Sequence, residues 1–332
     1  MTIPRTDARV RTITVGIAVA LAAVLLYFSL RGIQWREVGR IVAGASAPRL
    51  ALVLGIASLA LLLRAVRWHV LLKRPPEDGH RPLAVPAVFW ATAAGYFGNN
   101  FLPARAGELV RTMMISARSG LELPYVLATA LSERVSDAVV LVLIAATVLL
   151  TMPAPPGWLA GAIRPFGAAA LIAAAAIALL PLFAAPLQSA VRGIPLPERF
   201  RTALSSALEN ALHGMRALHD PRRLVPFAAL TAVIWTLDAA GVVVGASALG
   251  LDAPFPIAFL LIAALGLSSA LPSTPGYVGI YQFVAVSVLT PFGFSRNDAI
   301  AYILVAQALN YAVIGFWGAI GLLRYRRERS TA

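Results

Sequence analysis

Along this chain the apolar positions fall in long, nearly unbroken runs, without the alternating or one-sided spacing of a water-soluble fold. Runs of about eighteen or more residues with few charges are long enough to cross a bilayer as helices. They occur near 12–30, 48–66, 125–150, 161–187, 224–249 and 298–323. Two further segments, 83–102 and 255–290, are apolar but interrupted by Pro, Gly, Asn and Ser. The first run is too long for a signal peptide and has no small-residue cleavage site, so it predicts a retained helix.

Composition moves the picture the same way. Hydrophobic residues fill 59% of 332 positions and charged residues 13%, against roughly a quarter charged in soluble domains. The absence of cysteine excludes disulfides, thiolate chemistry and Cys-ligated metals. The net charge of +13 does not point to nucleic acid, because the arginines sit in loops beside the spans, as the cytoplasmic-side bias of membrane proteins requires.

That bias sets an orientation. With both termini cytoplasmic, the basic stretches at 5–11, 64–81, 192–223 and 324–329 all fall inside, and the uncharged 151–160 loop falls outside. The stretch 31–49 dissents with four arginines; its Trp35, Arg36 and Arg40 predict a short helix lying on the surface. In this ordering 83–118 cannot cross and must return to its own side, and 255–292 does the same from the opposite face. The expected fold is an all-α polytopic membrane protein: six full transmembrane helices plus two opposed re-entrant hairpins, scored as eight segments by a plain count. It forms one integral membrane domain over 1–332, with a first half at 48–150, a connector at 161–187, a cytoplasmic basic segment at 192–223 and a second half at 224–323. The hairpin tips share Leu-Pro-x-x-x-Gly, ending at Gly107 and Gly276. Halves of opposite orientation carrying broken helices make an inverted repeat of transporter type. The plainer alternative is two ordinary Pro-kinked helices.

The candidate chemistry lies at those tips. After Asn99, Asn100 is placed to cap a half-helix starting at Pro103; in the second tip Thr274 is placed to cap and Pro275 to start one, with Ser273 adjacent. Two helix N-termini facing each other would form an anion site, and Arg105 would add a guanidinium suited to phosphate or carboxylate. Glu108 lies three residues from both Arg105 and Arg111, so a structural clamp is the competing reading. Farther on, Glu133 falls about 14 Å into its span, with Arg134 and Asp137 one turn away or less. These charges read either as an internally neutralised packing cluster or as a cavity lining with a carboxylate for proton coupling. Gln307, Asn310 and Tyr311 repeat the spacing of Glu133, Ser136 and Asp137 without charge. Asp238 stands alone in mid-span, and Arg67-Trp68 reads as an interfacial anchor. No Walker A loop, HExxH, GxSxG or metal-ligand cluster occurs, so no cofactor or metal is expected.

These residues carry a resemblance. Arg64-x-x-Arg67-Trp68, Gly95-Tyr96-x-x-Asn99-x-x-Leu102-Pro103-x-Arg105-x-Gly107-Glu108, Glu133-Arg134-x-x-Asp137 and Leu271-Pro272-x-x-Pro275-Gly276-x-x-Gly279 together resemble the lysylphosphatidylglycerol synthase transmembrane region, a flippase-like family, over roughly 12–325. The resemblance implies a multi-pass protein of the bacterial cytoplasmic membrane. It also implies movement of a lipid whose headgroup is completed by a soluble synthase domain, or association with polyprenyl-phosphate glycosyl transfer. No aminoacyl-transferring domain follows Arg324, so this chain alone is not expected to make lysyl lipid. The leading expectation is a flippase for an anionic headgroup, phospholipid or polyprenyl-phosphate-linked. The alternatives are a membrane enzyme using Glu108, Glu133 or Asp137, and a scaffold docking a cytoplasmic synthase or glycosyltransferase through 192–223.

Overall fold

The computed structural model describes residues 8–73, 82–101, 106–152, 184–193, 220–269 and 274–330, with scattered positions between 161 and 209. Every regular element among them is helical: α1 Ala8–Leu30, α2 Trp35–Ala43, α3 Ala47–Leu72, α4 Val85–Phe101, α5 Gly107–Ser119, α6 Leu123–Thr151, α7 Ala184–Gly193, α8 Pro221–Ala248, α9 Phe255–Ser268, α10 Ile280–Leu289 and α11 Arg296–Ser330. Proline occupies the first turn of α3, α6, α8 and α9, where its missing N–H is one that a helix leaves unbonded anyway. Asp220 caps α8 by accepting from the Arg222 N–H at 3.0 Å, and α5 stops at Gly120, held at φ 74°.

Four of these helices, Ala47–Leu72, Leu123–Thr151, Pro221–Ala248 and Arg296–Arg327, are long and apolar enough to cross a membrane. Their most apolar windows are only 17, 28, 28 and 44% buried, and Leu52, Leu62, Val233 and Phe316 point outward. Apolar surface on that scale is stable in lipid, not in water. The chain is an all-helical, multi-pass membrane protein. Most of the expected connector 161–187 and much of the basic segment 192–223 lie outside the described residues.

The two interrupted segments form helix pairs. Their arms are 17, 13, 14 and 10 residues long, about 26, 20, 21 and 15 Å at 1.5 Å per residue. Each is shorter than the roughly 30 Å hydrocarbon core. α4 packs on α5, and α9 on α10. The surrounding contacts come in matched pairs: α3 on α4 and α8 on α9, α5 on α6 and α10 on α11, α4 on α11 and α9 on α6, with α3 against α8. The N-terminal α1 packs on α10, and α2 packs on α11 with Val38 buried and Trp35 exposed. Each half has its own apolar core, one around Trp68, Val88, Ile115 and Val126, the other around Val242, Leu261, Ile300 and Leu289.

Three local expectations change. α3 runs on past 66 to Leu72, so Arg64 and Arg67 are helix residues and not loop charges. α4 runs to Phe101, so Asn100 ends that helix instead of capping the next; its Nδ2 donates to the Tyr96 carbonyl at 2.9 Å. α5 begins at Gly107, after Ala106 and without a side-chain cap, beyond the start expected near Pro103. Glycine is required at this crossing. A Cβ on Gly107 would overlap the Gly95 carbonyl and stand 2.6 Å from the Asn99 N, and one on Gly95 would stand 2.9 Å from the Arg111 Cβ. The two helices touch backbone to backbone, which sets Glu108 directly under α4.

Candidate functional site

The deepest polar feature is a chain of alternating charge. Arg134 Nε donates to Glu108 at 2.8 Å, and Arg111 Nε donates to the same carboxylate at 2.6 Å. Arg111 Nη1 reaches Glu133 at 3.0 Å. Arg67 then joins Glu133 to Asp137, using Nη2 and Nε on Glu133 (2.9 and 3.3 Å) and Nη1 and Nη2 on Asp137 (2.6 and 2.8 Å). Its Nη1 also donates to Thr231 at 3.1 Å. The sequence Arg134–Glu108–Arg111–Glu133–Arg67–Asp137 ties α3, α5 and α6 together, and Thr231 adds α8. Arg67, Arg111 and Glu133 are buried, at 0, 1 and 2% exposure.

Burying ions is tolerable only when partners and hydrogen bonds are nearly complete, and here every member of the chain is paired. A separate pair, Arg64 with Asp238, links α3 to α8. All four guanidiniums also lie over aromatic rings: Arg111 on Trp68 at 4.4 Å, Arg67 on Phe227 at 5.1 Å, Arg134 on Tyr96 at 5.1 Å and Arg64 on Trp235 at 5.7 Å. Arg67 is therefore the hub of the cluster and not the interfacial anchor its sequence position suggests. Arg134 gives its carboxylate hydrogen bond to Glu108 and, among the described residues, none to Asp137. Each carboxylate of the chain holds at least one guanidinium.

Beside this chain lies a cavity of about 600 Å³ lined from both halves. Asn99, Asn100, Glu108, Arg134 and Asp137 form one wall, and Gln307, Asn310 and Tyr311 the other, with Tyr277 and Tyr281 from the second hairpin. Arg64, Trp235 and Asp238 close one side. Arg134 is its most open guanidinium, with 34% of its side chain exposed. Among the described residues the buried Oδ1 atoms of Asn99 and Asn100 and the Nη2 of Arg111 have no hydrogen-bond partner, which is uncommon for buried polar atoms.

The remaining predicted residues stand behind the wall or outside the described region. Gly107 packs under α4, and Arg111 and Glu133 sit within the ion chain. Gly276 presents its carbonyl to Gln307 Nε2 at 3.0 Å and to the Tyr311 hydroxyl. Thr274 precedes Pro275 but does not cap; its hydroxyl donates to the Val278 carbonyl at 3.0 Å. Pro275 opens only a three-residue 3-10 turn, and α10 starts at Ile280, where Gln282 accepts the Gly279 N–H at 2.7 Å. Tyr277 is held at φ 59° and stacks on Tyr281, ring centroids 4.7 Å apart; a non-glycine residue in that region costs about 1–2 kcal/mol. Pro103, Arg105 and Ser273 lie outside the described residues.

Arg64, Tyr96, Trp235, Tyr277 and Tyr281 line the cavity without having been singled out as lining. One signal was available. Asp238, and the excess of Glu133 and Asp137 over Arg134, each called for a cation from another helix, and α3 supplies both.

The fold and this cavity define a class: a multi-pass membrane protein with a charged internal chamber shared between two helical hairpins. Over residues 13–318 the chain matches the lysylphosphatidylglycerol synthase TM region, and it belongs to that family. It is also 26% identical over 368 aligned residues to a protein of Haloferax volcanii named glycosyltransferase AglD. That alignment covers 99% of this chain and 57% of the relative, so the chain spans little more than half of that protein's length.

Proposed function

We propose that this chain moves an anionic lipid headgroup, of a phospholipid or a polyprenyl-phosphate-linked lipid, across the cytoplasmic membrane. The observation that carries the reading is a cavity of about 600 Å³ walled by both hairpins and by Arg134 and Arg64. Arg134 spends its Nε on Glu108 and its Nη1 on the Tyr96 hydroxyl at 3.4 Å. Among the described residues its Nη2 makes no hydrogen bond, which leaves a donor for a phosphate oxygen. The matched packing of the halves supports an inverted repeat in which the hairpins enter from opposite faces and act as alternate gates.

Two measurements test this. Purified protein in liposomes should move labelled phosphatidylglycerol or a polyprenyl-phosphate lipid, and Arg134→Ala should slow it about tenfold or more, the scale of one charged hydrogen bond. Failure of the wild type to move any lipid, with or without a proton gradient, would sink the reading. The topology is tested separately on a chain that contains no cysteine. Ala117→Cys, in the last turn of α5, and Ser295→Cys, past α10, should label from opposite sides of the membrane; labelling from the same side would remove the opposed hairpins.

A second reading is a membrane partner for a separate glycosyltransferase or synthase. It is favoured by the name of the relative and by the large part of that protein outside the alignment. Co-purification of such an enzyme, with no lipid movement by the chain alone, would establish it.

A further inference from the structure

A second, smaller cleft of about 200 Å³ lies between α3, α8 and α11. It shares Ala57, Asp238, Ala306 and Asn310 with the main cavity, so the two spaces meet at the Arg64–Asp238 pair. Beyond that threshold the lining is apolar or small apart from the Tyr302 hydroxyl: Val53 and Ile56 of α3, Gly241 and Gly245 of α8, Tyr302 and Leu309 of α11. From Asp238 to Gly245 and from Asn310 to Tyr302 the cleft runs about 10–12 Å along the helix axes.

The gap is built, not a packing accident. α3 and α8 are pinned at both ends of it. At one end Arg64 pairs with Asp238. At the other, Arg49 Nη1 donates to the Ser247 carbonyl at 2.6 Å and the Ser46 N–H to the Ala248 carbonyl at 2.8 Å. Between the pins stand Gly241 and Gly245. Glycine in a helix interior costs about 0.5–1 kcal/mol relative to alanine, so it needs a reason. At Gly107, Gly318 and Gly321 the reason is a neighbour that a Cβ would strike. At Gly241 and Gly245 it is not: a Cβ would sit 3.6 Å from Ile56 Cγ2 and 3.6 Å from Tyr302 Cε2, ordinary contact distances. Packing would accept alanine at both sites, and interiors normally fill such space. What glycine preserves there is the width of the cleft.

We infer that this cleft holds a hydrocarbon chain, acyl or isoprenoid, of a lipid whose headgroup occupies the main cavity. The inference rests on the headgroup reading above and adds where the tail lies. Asp238 and Asn310 are shared by the two spaces, while Arg64, Glu108, Arg134 and Asp137 line only the larger one, which places the junction of head and tail beside the Arg64–Asp238 pair. A chain in the cleft stays in apolar surroundings while the head is in the charged chamber, so the lipid need not leave the membrane.

The test is native mass spectrometry of the protein released from its own membrane. Wild type should retain one lipid per chain under collisional activation, and the adduct mass identifies an acyl or an isoprenoid tail. Gly241→Leu, which fills the cleft without touching the ion chain, should lower that retention about tenfold, and Gly241→Ala, which narrows it by one methyl group, should lower it less. If Gly241→Leu does not fold, Leu309→Phe fills the same space from α11. No retained lipid in the wild type, or equal retention in the filled variants, overturns the inference. The headgroup reading fails differently: retention then falls with Gly241→Leu although no lipid is translocated.

Discussion

Arg67→Met is expected to destabilise the protein by about 3–5 kcal/mol, the cost of leaving buried carboxylates without their cation. Arg67 is fully buried and is the only guanidinium hydrogen-bonded to Asp137 among the described residues. Glu133 keeps Arg111; among the described residues Asp137 keeps no hydrogen-bonded guanidinium. The loss should appear as a lower melting temperature in detergent and a poor yield of monodisperse protein. Arg67→Lys should rescue little, because one ammonium cannot reproduce a planar fork that serves two carboxylates and Thr231. The decisive comparison is Arg67→Met with Asp137→Asn. Removing the orphaned charge should restore a substantial part of the stability, and a double variant no more stable than Arg67→Met would mean that the arginine acts by packing and not by charge.

The second large effect is at the crossing of α4 and α5. Gly107→Ala should cost about 3 kcal/mol, the upper part of the range for overpacking, because its Cβ would meet the Gly95 carbonyl and the Asn99 backbone. Neither is the flexible end of a side chain, so the helices must separate. Separation carries Glu108 away from Asn99, a 3.2 Å contact, and disturbs the cation pair that Glu108 shares. Thermal melting should fall, and lipid translocation with it. Gly55→Ala is the matched control: nothing lies within 4 Å of a Cβ there, and the gain in helix propensity should hold or raise the melting temperature by the equivalent of up to about 1 kcal/mol. Equal behaviour of the two variants would show that the hairpin is not held by this contact.

The sequence was a good guide to elements and a poor one to partners. The runs near 48–66, 125–150, 224–249 and 298–323 became α3, α6, α8 and α11, because long apolar stretches have little choice of conformation in lipid: a helix satisfies its own backbone. The interruptions at 83–118 and 255–292 appeared as paired short helices, α4 with α5 and α9 with α10. Helix ends were read less well. Arg64 and Arg67 looked like interfacial charge because they close an apolar run, and nothing local says that α3 continues to Leu72.

By itself the sequence determined an all-helical membrane chain, two broken segments in corresponding positions, and a deep set of charges that had to be neutralised. Composition and spacing are local properties, and local properties suffice for these. Only the tertiary structure decided how the neutralisation is done. It placed Arg67 between Glu133 and Asp137, gave Arg134 to Glu108 and Arg64 to Asp238, and put Gln307, Asn310 and Tyr311 across one cavity from Asn99 and Asn100. Charge balance fixes how many partners a buried carboxylate needs but not which helix supplies them. That depends on which helix faces meet, and here the faces are set by glycines at the crossings and by the apolar cores packed against the charged side chains.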